Sequence, residues 1–153
     1  MTASAVNDAL LLDNQLCFLV YRLHRGITDL YRPILADLGL TYPQYLVMLV
    51  LWESPTRTVG ELGSRLSLDS GTLSPLLKRL ESAGLVQRAR APSDERSVDV
   101  SLTDAGRALR TRARAVPATI GGCLSTSERE YLQIRDHLSG LLDRVDSCRA
   151  NQR

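Results

Sequence analysis

Along most of the chain the apolar residues recur at helical spacing, and in one short interval they alternate. Leu16, Leu19, Val20, Leu23, Ile27, Leu30, Ile34 and Leu35 form one stripe of a long amphipathic helix, with Asp13 or Asn14 placed to cap it and Gly39 to end it. Pro33 lies inside that pattern, so a kink or interruption is expected in the preceding turn. Thr41-Tyr42-Pro43-Gln44 has the capping-box pattern, and Tyr45 to Trp52 is apolar nearly all round, which describes a buried helix. Ser54-Pro55 stops it.

A second capping box, Thr58-Val59-Gly60-Glu61, opens a short helix carrying Leu62 and Leu66. Ser67-Leu68-Asp69 makes a tight turn, and Leu73, Leu76, Leu77 and Leu80 then stripe another helix with Ser70 as its cap and Gly84 as its stop. Pro75 falls in or just past the first turn, so this helix should be slightly bent or late to start, not broken. Its other face carries Ser70, Gly71, Ser74, Lys78 and Glu81, flanked by Thr72 and Arg79. Small hydroxyl residues followed by cations can approach a polyanion closely. Two short helices about such a turn fit a DNA-reading helix-turn-helix, and equally an ordinary helical hairpin.

The alternating interval decides between them. Leu85 to Arg90 and Ser97 to Leu102 read as strands around the turn residues Ala91 to Glu95, and Thr103 caps another helix. A two-stranded ribbon behind a recognition helix is a wing. Arg90 and Arg96 sit at its tip, suited to a narrow minor groove, and Asp94 is placed to orient Arg96. The helix after Thr103 runs towards Val116, with Arg107, Arg110 and Arg114 on a face read as solvated surface. Pro117 and Gly121-Gly122 predict a break near Cys123. Ser125-Thr126-Ser127-Glu128 starts a last helix striped by Tyr131, Ile134, Leu138, Leu141, Leu142 and Val145.

Asp94-x-Arg96 followed by Leu102-Thr103-x-x-Gly106 resembles the wing signature of the MarR family of winged-helix regulators. Asn14 to Phe18, Thr41 to Tyr45, Leu68 to Leu73 and Leu76 to Glu81 resemble its organic-hydroperoxide-sensing (OhrR) branch. The likeness runs from about Leu12 to about Val145. It implies a mainly α fold with a small β wing, a winged helix-turn-helix that is a homodimer through its N- and C-terminal helices. A single domain is expected over 1–153, with dimerisation helices at 12–38 and 117–148 and the DNA-binding module at 56–106. The outer helices have apolar faces that the small module cannot cover, and a second copy would cover them.

Composition narrows this picture further. A chain of 153 residues, 44% hydrophobic, suits one modest core. It has no apolar run long enough for a membrane span, no secretory leader pattern, and an odd count of three widely spaced cysteines. A cytoplasmic protein with reduced thiols is expected, without membrane partners. Residues 56–114 hold 11 Lys+Arg against 7 Asp+Glu, while the remainder holds 8 against 10, so the positive excess lies on the segment expected to bind DNA. His24 and His137 lack ligand spacing, and no phosphate loop or nucleophile–base set is present, so neither metal, cofactor nor enzymatic activity is expected.

Cys17 falls in or near the first turn of its helix, where the thiolate, the reactive form of cysteine, is favoured; by position alone it reads more readily as a buried structural cysteine. Tyr31 and Tyr42 offer phenol hydroxyls to such a thiolate. Tyr31 lies 14 residues beyond Cys17, roughly 21 Å along a continuous helix, so both serve one site only across a dimer interface. The resembled branch implies that arrangement, with Cys17 oxidised by organic hydroperoxides. In its two-cysteine subgroup an intersubunit disulfide follows; Cys123 is the better-placed resolving thiol, and Cys148 is the alternative.

The expected function is a redox-sensing repressor that binds double-stranded operator DNA when reduced and releases it when Cys17 is oxidised. Ser70, Thr72, Ser74, Lys78 and Arg79 would serve the major groove, and Arg88, Arg90, Asp94 and Arg96 the wing. Within the same fold, the alternative is a regulator derepressed by a phenolic ligand in the interface pocket, without cysteine chemistry. A thiol peroxidase is disfavoured, because Leu16 and Phe18 flank the cysteine in place of an arginine and a hydroxyl turn.

Overall fold

A computed structural model describes residues 9–91, 94–125 and 127–152, and only the backbone of residues 91 and 94–96. A 3₁₀ turn, Leu12–Asn14, leads into α1, Leu16–Ala36. Then come α2 (Tyr42–Glu53), β1 (Thr56–Thr58), α3 (Val59–Leu66), α4 (Ser70–Ser82), β2 (Val86–Ala91), β3 (Asp94–Leu102), α5 (Asp104–Ala113), α6 (Val116–Leu124) and α7 (Glu128–Ala150). The chain divides into two compact units, one ending at Ala113 and the other beginning at Arg114.

The first unit is built around α2. Gln44 Oε1 accepts the Thr41 amide at 2.8 Å, as its capping box predicts, and Tyr45, Val47, Met48, Val50, Leu51 and Trp52 are all buried. The predicted stripe of α4 is buried residue for residue: Leu73, Leu76, Leu77 and Leu80. Each contributes about 2 kcal/mol by leaving water, so the opposite face of α4 is held outward by what this one buries. The α3 box forms as read, with Thr58 Oγ1 accepting from the Glu61 amide at 3.1 Å and Glu61 Oε2 from the Thr58 amide at 2.8 Å. Ser67 closes α3 in the left-handed region at φ 54°, which turns the chain into α4.

Several expectations need correction. Neither Asp13 nor Asn14 caps α1; both belong to the 3₁₀ turn, and Gln15 holds the capping position. The helix runs through Pro33 without interruption. The residue whose carbonyl loses its donor there, Asp29, is exposed, so water can replace the missing bond. Asp69, not Ser70, caps α4: its Oδ1 accepts the Thr72 amide at 2.8 Å and its Oδ2 the Thr72 hydroxyl at 3.1 Å. Two carboxylate oxygens outcompete one hydroxyl, and Ser70 becomes the first helical residue. Pro75 lies inside α4, which is neither broken nor late.

The wing has a third strand. β1 pairs antiparallel with β3 (Thr56 with Ser101, Thr58 with Asp99), giving the order β1-β3-β2. β2 and β3 reach further towards the tip than the alternating residues indicate, with a register shift between Arg90 and Ala91. Thr103 caps α5 as expected, its Oγ1 accepting the Gly106 amide at 3.1 Å. This helix ends at Ala113, so Arg114 leaves the stripe it was predicted to share with Arg107 and Arg110.

In the second unit the break predicted near Cys123 falls just after it, where α6 ends at Leu124 with Ser125 extended and α7 begins at Glu128. Pro117 is accepted in the first turn of α6, and Gly121, Gly122 and Cys123 are helical. Two helical glycines cost about 1 kcal/mol each relative to alanine, which buried Val116 and Ile120 offset. Ser127 caps α7 by accepting the Glu130 amide at 3.2 Å. No residue of α7 is buried, and its stripe of Tyr131, Ile134, Leu138, Leu142 and Val145 is open to solvent. In the first unit the α1 stripe is open too at Leu16, Leu19, Val20, Leu23 and Leu30.

Gly106 allows the closest approach in the first unit, because a Cβ there would overlap the Leu85 carbonyl oxygen. Gly106→Ala is therefore expected to destabilise the protein by about 3 kcal/mol or more, as forced overlap with backbone does. Urea denaturation of the reduced protein measures it, and an unchanged midpoint would contradict the packing described.

Candidate nucleic-acid interface and thiol site

The outward face of α4 presents Ser70, Gly71, Thr72, Ser74, Lys78 and Arg79, all exposed. Because Asp69 supplies the cap, the Ser70 hydroxyl is not used there, whereas that of Thr72 is turned back onto Asp69. Ser70, Gly71, Ser74, Pro75, Lys78 and Arg88 line one shallow cleft, so the start of β2 and the outward face of α4 form a single surface. A second cleft continues it past Thr58 and Gly60 to Ser97 and Val98. The α3 entrance, the recognition helix and the wing base are thus contiguous.

Arg88 is fixed in this surface by Glu81. Glu81 Oε2 accepts from Arg88 Nε at 2.9 Å and from Nη2 at 2.6 Å, and Oε1 accepts the Arg88 amide at 3.2 Å. Arg90 is exposed two residues further along the same strand. The side chains of Asp94 and Arg96, and the pairing expected between them, lie outside the described residues. Arg107 is exposed, as expected of its face, and turns back on the start of its helix, donating to the Leu102 carbonyl at 2.7 Å and to Asp104 at 2.6 Å.

Sequence reasoning missed Asp69 and Glu81. Asp69 was legible, since an acidic residue three places before Thr72 fits a cap as well as Ser70 does. Glu81 was not, because its partner lies seven residues on, across a glycine turn, at no regular spacing.

Cys17 is the second residue of α1 and exposed. Tyr31 belongs to the same unbroken helix, which keeps the two roughly 21 Å apart in one chain. Tyr31 instead meets Tyr42, with ring centroids 4.6 Å apart, and Tyr45 at 5.8 Å. Burial pushes the Tyr42 phenol up from its ordinary value; burial, then the neighbouring Tyr42, does the same for Tyr45. Both therefore keep their protons at neutral pH and remain donors. Cys123, next to last in α6, and Cys148, near the end of α7, are free and exposed, as is Cys17. Among the described residues no group of three or more His, Cys, Asp or Glu side chains is placed to hold a metal, and no helix is long and apolar enough to cross a membrane.

The family model for the transcriptional regulator SarA/Rot matches residues 29–112. Over 136 residues the chain is 48% identical to the organic hydroperoxide resistance transcriptional regulator of Bacillus subtilis, covering 89% of this chain and 92% of that one. This chain belongs to the MarR family, in its organic hydroperoxide resistance branch. As a MarR-family member it is a DNA-binding transcription regulator of winged-helix fold, and not an enzyme. Among solved structures it is similar to reduced AbfR bound to DNA, a Staphylococcus epidermidis protein, at TM-score 0.80 and 36% identity over 97% of this chain and 99% of that one. Disulfide-formed AbfR matches at TM-score 0.64 and 35% identity, over 96% and 98%. A MarR variant from E. coli complexed with operator DNA gives TM-score 0.76 at 28% identity, over 83% of this chain and 93% of that one.

Among the described residues of this MarR-family DNA module, three carboxylates are held below their ordinary range. The Thr58 amide lowers Glu61, the Thr72 amide lowers Asp69, and the Arg88 guanidinium lowers Glu81. A depressed carboxylate stabilises the fold above its unfolded value and loses that contribution as pH falls through the folded one. Stability measured by urea denaturation is thus expected to be flat with respect to these groups above pH ~5 and to decline below pH ~4. Asp69→Asn should shallow the decline; an identical acid profile would remove the cap from the account.

Proposed function

We propose that this protein is a homodimeric repressor that holds operator DNA while its thiols are reduced and releases it on oxidation by an organic hydroperoxide. One observation carries the reading: α1 is continuous, so Cys17 is out of reach of the Tyr31–Tyr42 cluster of its own chain. Pairing of two copies through the open apolar stripes of α1 and α7 would bring Cys17 of one to the phenols of the other. Residues 12–38 and 117–148 then form the dimer interface and 56–106 the DNA module. The two-fold arrangement sets two α4 helices about 34 Å apart, one turn of a near-palindromic site. Cytoplasmic DNA and a reduced thiol pool suit such a regulator.

In this scheme Ser70, Thr72, Ser74, Lys78 and Arg79 enter or flank the major groove. Arg88, Arg90 and Arg96 serve the wing, with Asp94 orienting Arg96. The Cys17 thiolate attacks the terminal peroxide oxygen, giving a sulfenic acid and the alcohol. The thiol of Cys123 on the second copy then displaces water and closes a disulfide, with Cys148 the competing resolver. A disulfide requires ~4.4–6.8 Å between Cα atoms, so its closure would drag α1 and α6 and shift the recognition helices off their spacing. AbfR, similar to this chain, has been solved both reduced on DNA and in a disulfide form, the two states that such a switch requires.

Cys17→Ser is expected to retain operator binding and lose its response to stoichiometric cumene hydroperoxide, read by fluorescence anisotropy. A wild-type protein whose oxidised form binds undiminished would instead favour release by a phenolic ligand. Non-reducing mass spectrometry of the oxidised dimer is expected to yield a Cys17–Cys123 peptide joined between chains. Arg96→Ala should weaken operator binding by about 1–3 kcal/mol, and an unchanged isotherm would take Arg96 out of the interface.

A further inference from the structure

A carboxylate amid a DNA-facing surface is at first sight a liability, since it repels phosphates. Glu81 is such a group: its side chain is 36% exposed and the paired Arg88 side chain 33%. The pair is neutral, so Arg88 adds little net attraction to the duplex while Glu81 stays ionised. What the pair supplies is geometry. A guanidinium has five N–H donors. Glu81 Oε2 takes the Nε donor and one from Nη2, leaving three at the Nη end, while Oε1 ties the Arg88 backbone to the last turn of α4. The arginine lines the cleft of Ser70, Ser74 and Lys78. Hydrogen bonds from Arg88 keep the Glu81 carboxyl below its ordinary range, so the hold persists at any pH where the protein works.

We propose that Glu81 is a positioning residue for DNA recognition, which clamps Arg88 so that its free Nη donors meet the duplex together with Ser70, Ser74 and Lys78. The inference rests on the reading of this face as the operator-binding surface. A long, flexible arginine held in one rotamer loses less freedom on binding than a mobile one. Arg90, on the same side of β2, has no such hold among the described residues and offers charge without fixed direction.

The sign of the mutational effect tests this. Charge alone predicts that Glu81→Ala tightens binding to every duplex, because a negative group is removed. Positioning predicts that it weakens binding to the operator about tenfold, ~1.4 kcal/mol, while an unrelated duplex of equal length is bound as well as before or better. The probe is the duplex that the reduced wild-type protein selects from a randomised pool, with affinity followed against salt. Because Glu81→Ala removes direction and not positive charge, it is not expected to lower the salt slope. The double variant should bind no more weakly than Arg88→Ala alone, and Glu81→Gln, which keeps an acceptor, should recover part of the loss. Thermal melts establish that each variant is folded, and Glu81→Gln carries the test should Glu81→Ala not be.

Operator affinity undiminished in Glu81→Ala, or losses from Glu81→Ala and Arg88→Ala that simply add, would overturn the proposal. A wild-type protein that selects no duplex would overturn the operator reading itself, and the proposal with it. That result is distinct from one in which the wild type binds and the Glu81 variant is indifferent.

Discussion

The meeting of four backbone segments at Gly106 holds the DNA module together. The Thr103 hydroxyl donates to the Gly84 carbonyl at 2.6 Å, just past the recognition helix, and accepts the Gly106 amide at 3.1 Å. The Thr103 amide donates to the Leu85 carbonyl at 3.1 Å, and Trp52 Nε1 donates to the Gly106 carbonyl at 2.9 Å. The end of α4, the end of β3, the start of α5 and the buried helix α2 are thereby joined within a few ångströms. Only a residue without a Cβ fits where α5 crosses Leu85. The sequence signature Leu102-Thr103-x-x-Gly106 has its physical reason here: it fixes where the recognition helix ends and the wing begins.

A chain of ring and hydrogen-bond contacts leads away from this joint. Trp52 meets Tyr45 edge-on at 6.2 Å, Tyr45 lies 5.8 Å from Tyr31, and Tyr31 lies 4.6 Å from Tyr42. The phenols assigned to the thiol are thus packed, through one buried helix, against the residue that anchors the base of the wing. Packed interiors transmit displacement because they have few voids in which to absorb it. The same helix that supplies the hydrophobic core therefore links the Tyr31–Tyr42 pair to the base of the wing.

The two sites are built on different physics. The DNA surface is polar and arranged by local devices, a cap at Asp69, a capping box at Thr58 and an ion pair at Glu81, each of which orients a neighbour. In the proposed scheme the thiol site is incomplete in one chain, since a continuous helix separates Cys17 from Tyr31. Its completion would then depend on the apolar faces of α1 and α7 that the single chain leaves in water. A surface group can be positioned by its own turn of helix, whereas a site split along a rod needs a second rod.

What the sequence by itself determined is what depends on periodicity and short-range chemistry: the α4 stripe, the apolar α2, both capping boxes, the alternating wing strands and the Thr103 cap. Periodic burial and i to i+3 bonds leave marks within a few residues, so these were legible, as was the separation of Cys17 from Tyr31 along one helix. Tertiary structure alone decided the rest. β1 is three residues long and exists because β3 offers it an edge. Gly121 and Gly122 are helical because Val116 and Ile120 are buried behind them. Pro33 is carried because the orphaned carbonyl faces water. Glu81 finds Arg88 only after a glycine turn brings strand and helix side by side. In each case long-range packing or solvent supplied free energy that local propensity does not encode, and it overrode or completed what the neighbouring residues implied.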